Sequence, residues 1–380
     1  MLAAVGLALP GAARADSAST GGCSWQLQAG SGGIDLFDVD TDAAYWVTTF
    51  TASAGSGLTI TGSFPAARFM SFAAYDPKAS VTPAGLYDAE IAPSGGVNPF
   101  QPGVVGGGAY TVTVLPQAPP ADPAPNTLYA GANTGDQVVV VYRVYAPDES
   151  SSPAGGVPLP AVTVTQNGLP VSVGKPCVVG QGGSVADARH AALSAAAPSV
   201  AAGAAPSWSS TTIPNDFPNP DSAYLITVAN VGRGPLVVVQ AQMPAFPDTA
   251  AGQPPWAPGQ QVRYWSMCVG NPLTVTVACV PDQDAVLVGD EATFVISPAA
   301  DQPPNATAAN GVNWMPWAQG SLVQLLYRQI LAQPSFSEAI DNVPAGESLQ
   351  TAMGPYYPQI AYCTEAEFTA AGAAGCLGTG

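Results

Sequence analysis

Tyr110-Thr111-Val112-Thr113-Val114-Leu115 alternates apolar and polar side chains with a period of two. That is the pattern of a strand with one face buried and one face wet. The same reading extends to Leu58 to Thr61, Val138 to Tyr145, Val162 to Thr165, Tyr224 to Val228, Leu236 to Val239, Leu273 to Val277 and Thr293 to Ile296. These runs are short, β-branched and bounded by Gly, Pro or Asn. With 41 Gly and 39 Pro in 380 residues, turns are frequent enough to separate many such strands. Many short strands between turns imply an all-β chain of antiparallel sandwiches or jelly-roll-like domains. Helix is a minor component. Ser335 with Glu338 and Thr364 with Glu367 have capping-box spacing, which predicts short helices starting there; Ala186 to Ala197 is a further short helical stretch.

Three blocks recur in order, which separates what the fold requires from what drifts. Asp42-Ala43-Ala44-Tyr45 is answered by Asp221-Ser222-Ala223-Tyr224. Arg68-Phe69-Met70-Ser71-Phe72 with Asp76 is answered by Arg263-Tyr264-Trp265-Ser266-Met267 with Asn271. Tyr142-Arg143 is answered by Tyr327-Arg328, each preceded by an asparagine, Asn126 or Asn313. Ser321 to Ala332 has a helix-compatible composition, but its match to Gln137 to Ala146 assigns it to strand. The repeats predict two tandem homologous domains, 22–178 and 211–380, joined by an Ala/Gly/Ser-rich linker at 179–210. Residues 1–15 have an apolar stretch and then Ala13-Arg14-Ala15, the small-x-small pattern of a signal peptide. The product is expected to be secreted or held in the cell envelope.

The formal charge of −17 repels nucleic acid phosphates and anionic lipid. No later apolar run approaches the roughly 20 residues of a membrane span. Six cysteines in a secreted chain point to disulfides, and six allow fifteen pairings. Sequence proximity favours Cys268 with Cys279 and Cys363 with Cys376, leaving Cys23 with Cys177. A zinc site lacks CxxC spacing and a nearby histidine.

Catalytic residue types are scarce. The single histidine, His190, lies in the linker beside Asp187, so a Ser-His-Asp triad requires the linker to fold onto a domain. Ser172 to Lys175 has SxxK spacing but sits on a strand-like stretch rather than at a helix start. Arg68 and Arg263 carry the planar fork that suits a carboxylate or phosphate ligand, and the matched Asp42 and Asp221 offer structural ion-pair partners instead. Arg143 and Arg328 carry the same two readings. Asp38, Asp40 and Asp42 have the alternation of an oxygen-rich calcium loop without its Gly and distal Glu. Calcium is the one cofactor the sequence raises. Trp314, Trp317, Tyr356 and Tyr357 sit among Pro, Gly and Asn in expected loops, where exposed rings could stack on a sugar or apolar ligand.

The blocks also carry a family resemblance. Arg263 to Met267 with Asn271, then Asn313-Trp314-Met315-Pro316, then Gly320 leading to Tyr327-Arg328, resembles the bacterial domain of unknown function 1214. Arg68 to Asp76, and Tyr145 to Ser150 running on to Gly156, Pro158, Pro160 and Val162, extend the likeness to the first half. The arrangement is similar to uncharacterised secreted bacterial proteins with loops like Asn98-Pro99-Phe100-Gln101-Pro102-Gly103. The resemblance implies a β-sandwich fold and supplies no established chemistry. By elimination, the expected function is an extracellular binding or envelope-associated module for a carbohydrate, lipid or small ligand. The alternatives are a hydrolase or isomerase using the duplicated Arg and Asp residues on a small acidic or sugar substrate, and a purely structural surface protein.

Overall fold

A computed structural model describes residues 23–31, 38–78, 84–148, 152–174, 205–210, 217–271, 275–317 and 320–378. The expected signal peptide, most of the linker with Ala186 to Ala197 and His190, Lys175, and Cys177 of the Cys23–Cys177 pair lie outside the described residues.

The fold is all-β. The first half forms two sheets. One has the spatial order β1 (Leu27–Gly30), β2 (Ala43–Thr51), β9 (Gln137–Pro147), β4 (Ala67–Tyr75) and β5 (Ala84–Tyr87). The other runs β11 (Leu169–Gly174), β10 (Ala161–Gln166), β3 (Ser56–Ser63), β7 (Gly108–Leu115) and β6 (Pro93–Gly96), with β8 (Thr127–Tyr129) parallel to β7. In the second half, β12 (Ser209–Ser210), β13 (Ser222–Asn230), β20 (Leu322–Ile330), β15 (Tyr264–Gly270) and β16 (Thr276–Pro281) repeat the first order element for element. The fourth sheet runs β17 (Leu287–Val288), β18 (Glu291–Ser297), β14 (Leu236–Gln242) and β21 (Gln359–Cys363), with β19 (Val312–Pro316) parallel to β18.

Each pair of sheets closes on its own apolar core. Trp46, Met70, Phe72, Tyr142 and Val144 of one sheet meet Leu58, Ile60, Tyr110, Val112 and Val114 of the other. Leu225, Trp265, Met267, Leu325 and Tyr327 meet Val237, Val239, Phe294 and Ile296 in the second. The two β9/β20-centred sheets also bury their outer faces, where Phe69, Tyr145, Tyr264 and Ile330 pack together across the halves. The result is four stacked layers with a seam in the middle. This explains why β4 and β15 are buried at every position while β7 alternates. Strands covered on both faces read as continuous apolar runs, and strands with one wet face alternate.

The matched asparagines act as backbone substitutes. Asn126 accepts the Ala92 N–H at 2.8 Å and donates to the carbonyls of Ala92 and Thr111. Asn313 repeats this with Val286 and Thr293. Each locks the start of the short parallel strand, whose backbone groups would otherwise be buried without partners. Asp76 and Asn271 close the turns after β4 and β15 by accepting the N–H of Lys78 and Val275.

Two α-helices occur among the described residues: α1 (Leu349–Met353) and α2 (Glu365–Leu377). Thr364 caps α2 with the full reciprocal box, its Oγ1 accepting from Glu367 N–H and Glu367 accepting from Thr364 N–H. Ser335 and Glu338 do not start a helix. Ser337 Oγ donates to the Glu338 carboxylate, and successive turns bury Phe336 and Ala339 in the second core. The side chain needed for the box is thus engaged elsewhere, and Ser348 caps the nearby α1 instead. Cys268–Cys279 bridges directly paired residues of β15 and β16, and Cys363–Cys376 ties β21 to α2. No helix among the described residues is long and apolar enough to cross a membrane.

Candidate functional site at the seam

The arginines of the matched sequence blocks converge on the seam and pair across it. Arg68 of β4 donates to both carboxylate oxygens of Asp282, at 2.9 and 3.0 Å, and Arg263, immediately before β15, donates to those of Asp88, at 3.2 and 3.3 Å. All four side chains are fully buried. Asp88 and Asp282 open short 3-10 turns in matched places, and each also accepts a strand N–H, from Met70 or Trp265. Burial pushes Asp88 up to about 6 and Asp282 up to about 7, with the facing guanidinium opposing it. Desolvation on this scale offsets much of the Coulombic attraction, so the reciprocal pairs fix how the two sheets register rather than adding much net stability.

A second reciprocal contact flanks the first. Arg328 donates to Asp40 Oδ2 and to the Asp38 carbonyl, and Arg143 donates to the Phe217 carbonyl at 2.7 Å. Asp38 and Phe217 have φ of 52° and 49°. Non-glycine residues seldom adopt such a backbone, and here it turns a carbonyl toward an arginine. Asp40 is surrounded by donors: Tyr264 at 2.9 Å, Ser266 at 2.6 Å and the Asp42 N–H at 3.0 Å. Its counterpart is Asn219, so Arg143 Nη1 and Ser71 Oγ are buried without partners. Arg143 keeps Tyr75 as a second acceptor.

The expected site residues therefore separate. Asp42 is half-buried and reaches Arg68 only through Gln283, which accepts from Arg68 Nη2 and donates to Asp42 Oδ2. Burial, with Asp40, Asp284 and Asp282 adding repulsion, pushes Asp42 up to about 7. Asp221 is also pushed up to about 7 by burial, against the lowering effect of Arg143. The three carboxylates of the expected calcium loop do not converge. Asp38 Oδ1 accepts from Gln324, Asp40 from the donors above and Asp42 from Gln283, so the loop is an arm holding the halves together. The one group of described residues with metal-ligand spacing is Asp40, Cys268 and Cys279, and both sulfurs are in the disulfide.

The two halves differ most between their third and fourth matched strands. The first connects β3 to β4 through Phe64–Ala66, and the second connects β14 to β15 through the long segment from Met243 to Arg263. Connections well beyond about 12–15 residues without regular structure are uncommon and usually functional. This loop holds itself together: Asp248 and Gln253 bond reciprocally, Gln261 accepts from Ala245 N–H, and Gln260 accepts from Ala257 N–H. It covers Arg68 with Phe246 and Thr249, and stacks Trp256 on Arg263 with the guanidinium carbon 3.9 Å from the ring centroid.

Beside Trp256 lies a pocket of about 510 Å3 lined by Trp256, Gln260, Gln261, Gln333, Ser335, Phe336 and Glu338, with Pro102 contributed by the first half. Pro102 belongs to the Asn98 to Gly103 loop. Asn98 anchors that loop by donating to the carbonyls of Asp88 and Ile91, which places it next to the Arg263 partner. Tyr356 lies behind the pocket, accepting from Gln261 at 2.8 Å and packing edge-on against Phe336. Trp314 lies in a separate 380 Å3 pocket on the outer layer with Asp284, Gln302 and Thr307. Trp317 and Tyr357 pack with the second core.

The sequence reading missed Asp88, Asp282 and the Trp256 loop. Two signals were available. Asp88-Ala89-Glu90 and Asp282-Gln283-Asp284 form a fourth matched block, and the spacing from Asp221 to Arg263 far exceeds that from Asp42 to Arg68.

The chain matches no protein-family profile and no curated protein. Among solved structures it is similar to an uncharacterised protein from Burkholderia cenocepacia, at 14% identity and TM-score 0.49, covering 80% of this chain and 76% of the other. It is also similar to the VPA0106 protein from Vibrio parahaemolyticus, at 10% identity and TM-score 0.42, covering 86% and 90%.

Proposed function

We propose that this protein is an extracellular or envelope-associated binding module whose ligand site is the seam pocket, and that the ligand is a carbohydrate. The observation carrying this reading is the lining: three glutamine amides, a serine, a glutamate and an indole around about 510 Å3. Planar amides and carboxylates match vicinal hydroxyls, which both donate and accept, while an aromatic edge covers the apolar face of a sugar ring. Gln260 and Gln261 are preset by backbone N–H groups, so little side-chain freedom is lost on binding. The two disulfides within the described residues fit an oxidising compartment. The matched sheet orders and reciprocal ion pairs support an internal duplication, with the ligand site built on the half that gained the long loop.

The enzyme alternative draws support from Asp42 and Asp221, whose raised values suit acid-base work. Neither residue lines the two pockets described above. Isothermal titration of the intact chain with neutral trisaccharides tests the reading. Binding should weaken about tenfold in Gln333→Ala, as expected for a lost pair of ligand hydrogen bonds. Unchanged affinity in that variant, or no binding by any saccharide, would sink the proposal.

A further inference from the structure

The two matched arginines are not equally satisfied. Arg68 uses its whole fork: Nε donates to Thr249, Nη1 to Asp282 and Nη2 to Gln283. Arg263 uses Nη1 alone, toward Asp88 and the Arg68 carbonyl. Its Nε and Nη2 are buried with no hydrogen-bond partner. Ala89 stands where the first site has Gln283. A buried cationic donor without an acceptor costs free energy, and guanidinium donors side by side match the two oxygens of a carboxylate.

Over the face of this guanidinium lies the Trp256 indole, which is also a wall of the seam pocket. The indole Nε1 has no hydrogen-bond partner, as is also true at Trp317, whereas Trp25, Trp208, Trp265 and Trp314 each donate to an oxygen. Gln260 Nε2, from the same loop and pocket, is a further buried donor without a partner. The pocket wall therefore carries donors without acceptors, and a ring that no hydrogen bond holds, at one place.

We propose that Arg263 is the specificity-determining residue of the seam pocket and that the ligand is an acidic sugar, whose carboxylate takes the free Nε and Nη2 positions once Trp256 swings aside. The proposal rests on the carbohydrate reading of that pocket. The Asp88 pair stays in place, so Arg263 keeps its register while its second edge reads the ligand.

The test compares galactose and galacturonate trisaccharides of the same linkage by titration calorimetry at low salt. The acidic sugar should bind at least about tenfold more tightly, in line with a charge-assisted bond pair. Ala89→Gln places in this site the side chain that fills the fork of Arg68, and should abolish the acidic preference while leaving neutral-sugar affinity and thermal stability intact. Arg263→Lys, which keeps a cation for Asp88 but removes the fork, should likewise lose the acidic preference. Equal affinity for the two trisaccharides in the parent chain, or a preference that survives Ala89→Gln, overturns the proposal and leaves the carbohydrate reading standing. Binding of neither trisaccharide overturns both.

Discussion

Replacing Asp40 by Asn tests the seam directly, because the second half already contains the result of that change. Asp40 is fully buried and acceptor-only: Oδ1 takes the Asp42 N–H, while Oδ2 takes Arg328, Tyr264 and Ser266. An Asn amide has one acceptor oxygen and an NH2 group. If its oxygen faces the three donors, the NH2 meets the Asp42 N–H; if it is flipped, the NH2 meets the three donors. Either way a donor faces a donor and Arg328 loses its counter-ion while almost completely buried. Removing one partner of a buried pair costs about 3–5 kcal/mol, since the remaining charge stays desolvated. We expect a loss of this size in urea unfolding followed by tryptophan fluorescence with the disulfides intact. The exposed Lys78–Asp136 pair is the internal control, and Lys78→Met should leave the unfolding midpoint essentially unchanged. A cost for Asp40→Asn below about 1 kcal/mol would refute the claim that the Arg328 arm holds the halves in register.

The converse change, Asn219→Asp, gives Arg143 Nη1 and Ser71 Oγ the acceptor they lack and should stabilise by about 1–2 kcal/mol in the same assay; a net loss would show that the cost of burying the new carboxylate wins. Asp42 and Asp221 have folded values near 7, raised from 3.8, so the neutral form is favoured in the fold. Their contribution is fully present below about pH 4 and is lost as pH rises from there through 7, so stability should fall between about pH 4 and pH 7, by about 1–2 kcal/mol per group after allowing for solvent. Asp42→Asn and Asp221→Asn should each flatten that slope, and a stability that instead rises over this range would contradict the assignment. Removing the Cys363–Cys376 bond with a paired Ala substitution should cost about 2–3 kcal/mol, from the chain entropy of a short closed loop. Hydrogen exchange should localise that loss to α2 and β21, and exchange spread over the whole second half would count against a local clamp.

Local patterning was enough for the strands because a half-buried strand must alternate, as Thr111 to Val114 does, and a strand covered on both faces must not, as in Val138 to Tyr145. The Thr364–Glu367 box likewise needs only a few neighbouring residues. Ser335–Glu338 failed because its side chains answer to the core beneath, which a four-residue window does not contain. The arginine partners failed for a similar reason at longer range. Arg68 was matched to Asp42 within its own half, yet its carboxylate comes from the other half.

The sequence by itself determined that this chain is all-β and disulfide-bearing and carries four arginines in matched blocks, because periodicity, turn chemistry and recurring residues are properties of the chain read in order. Only the tertiary structure decided which carboxylate each arginine meets and that one of them keeps an open fork beside a tryptophan. Those facts depend on how two sheets stack face to face, and stacking brings together residues whose separation along the chain carries no record of it.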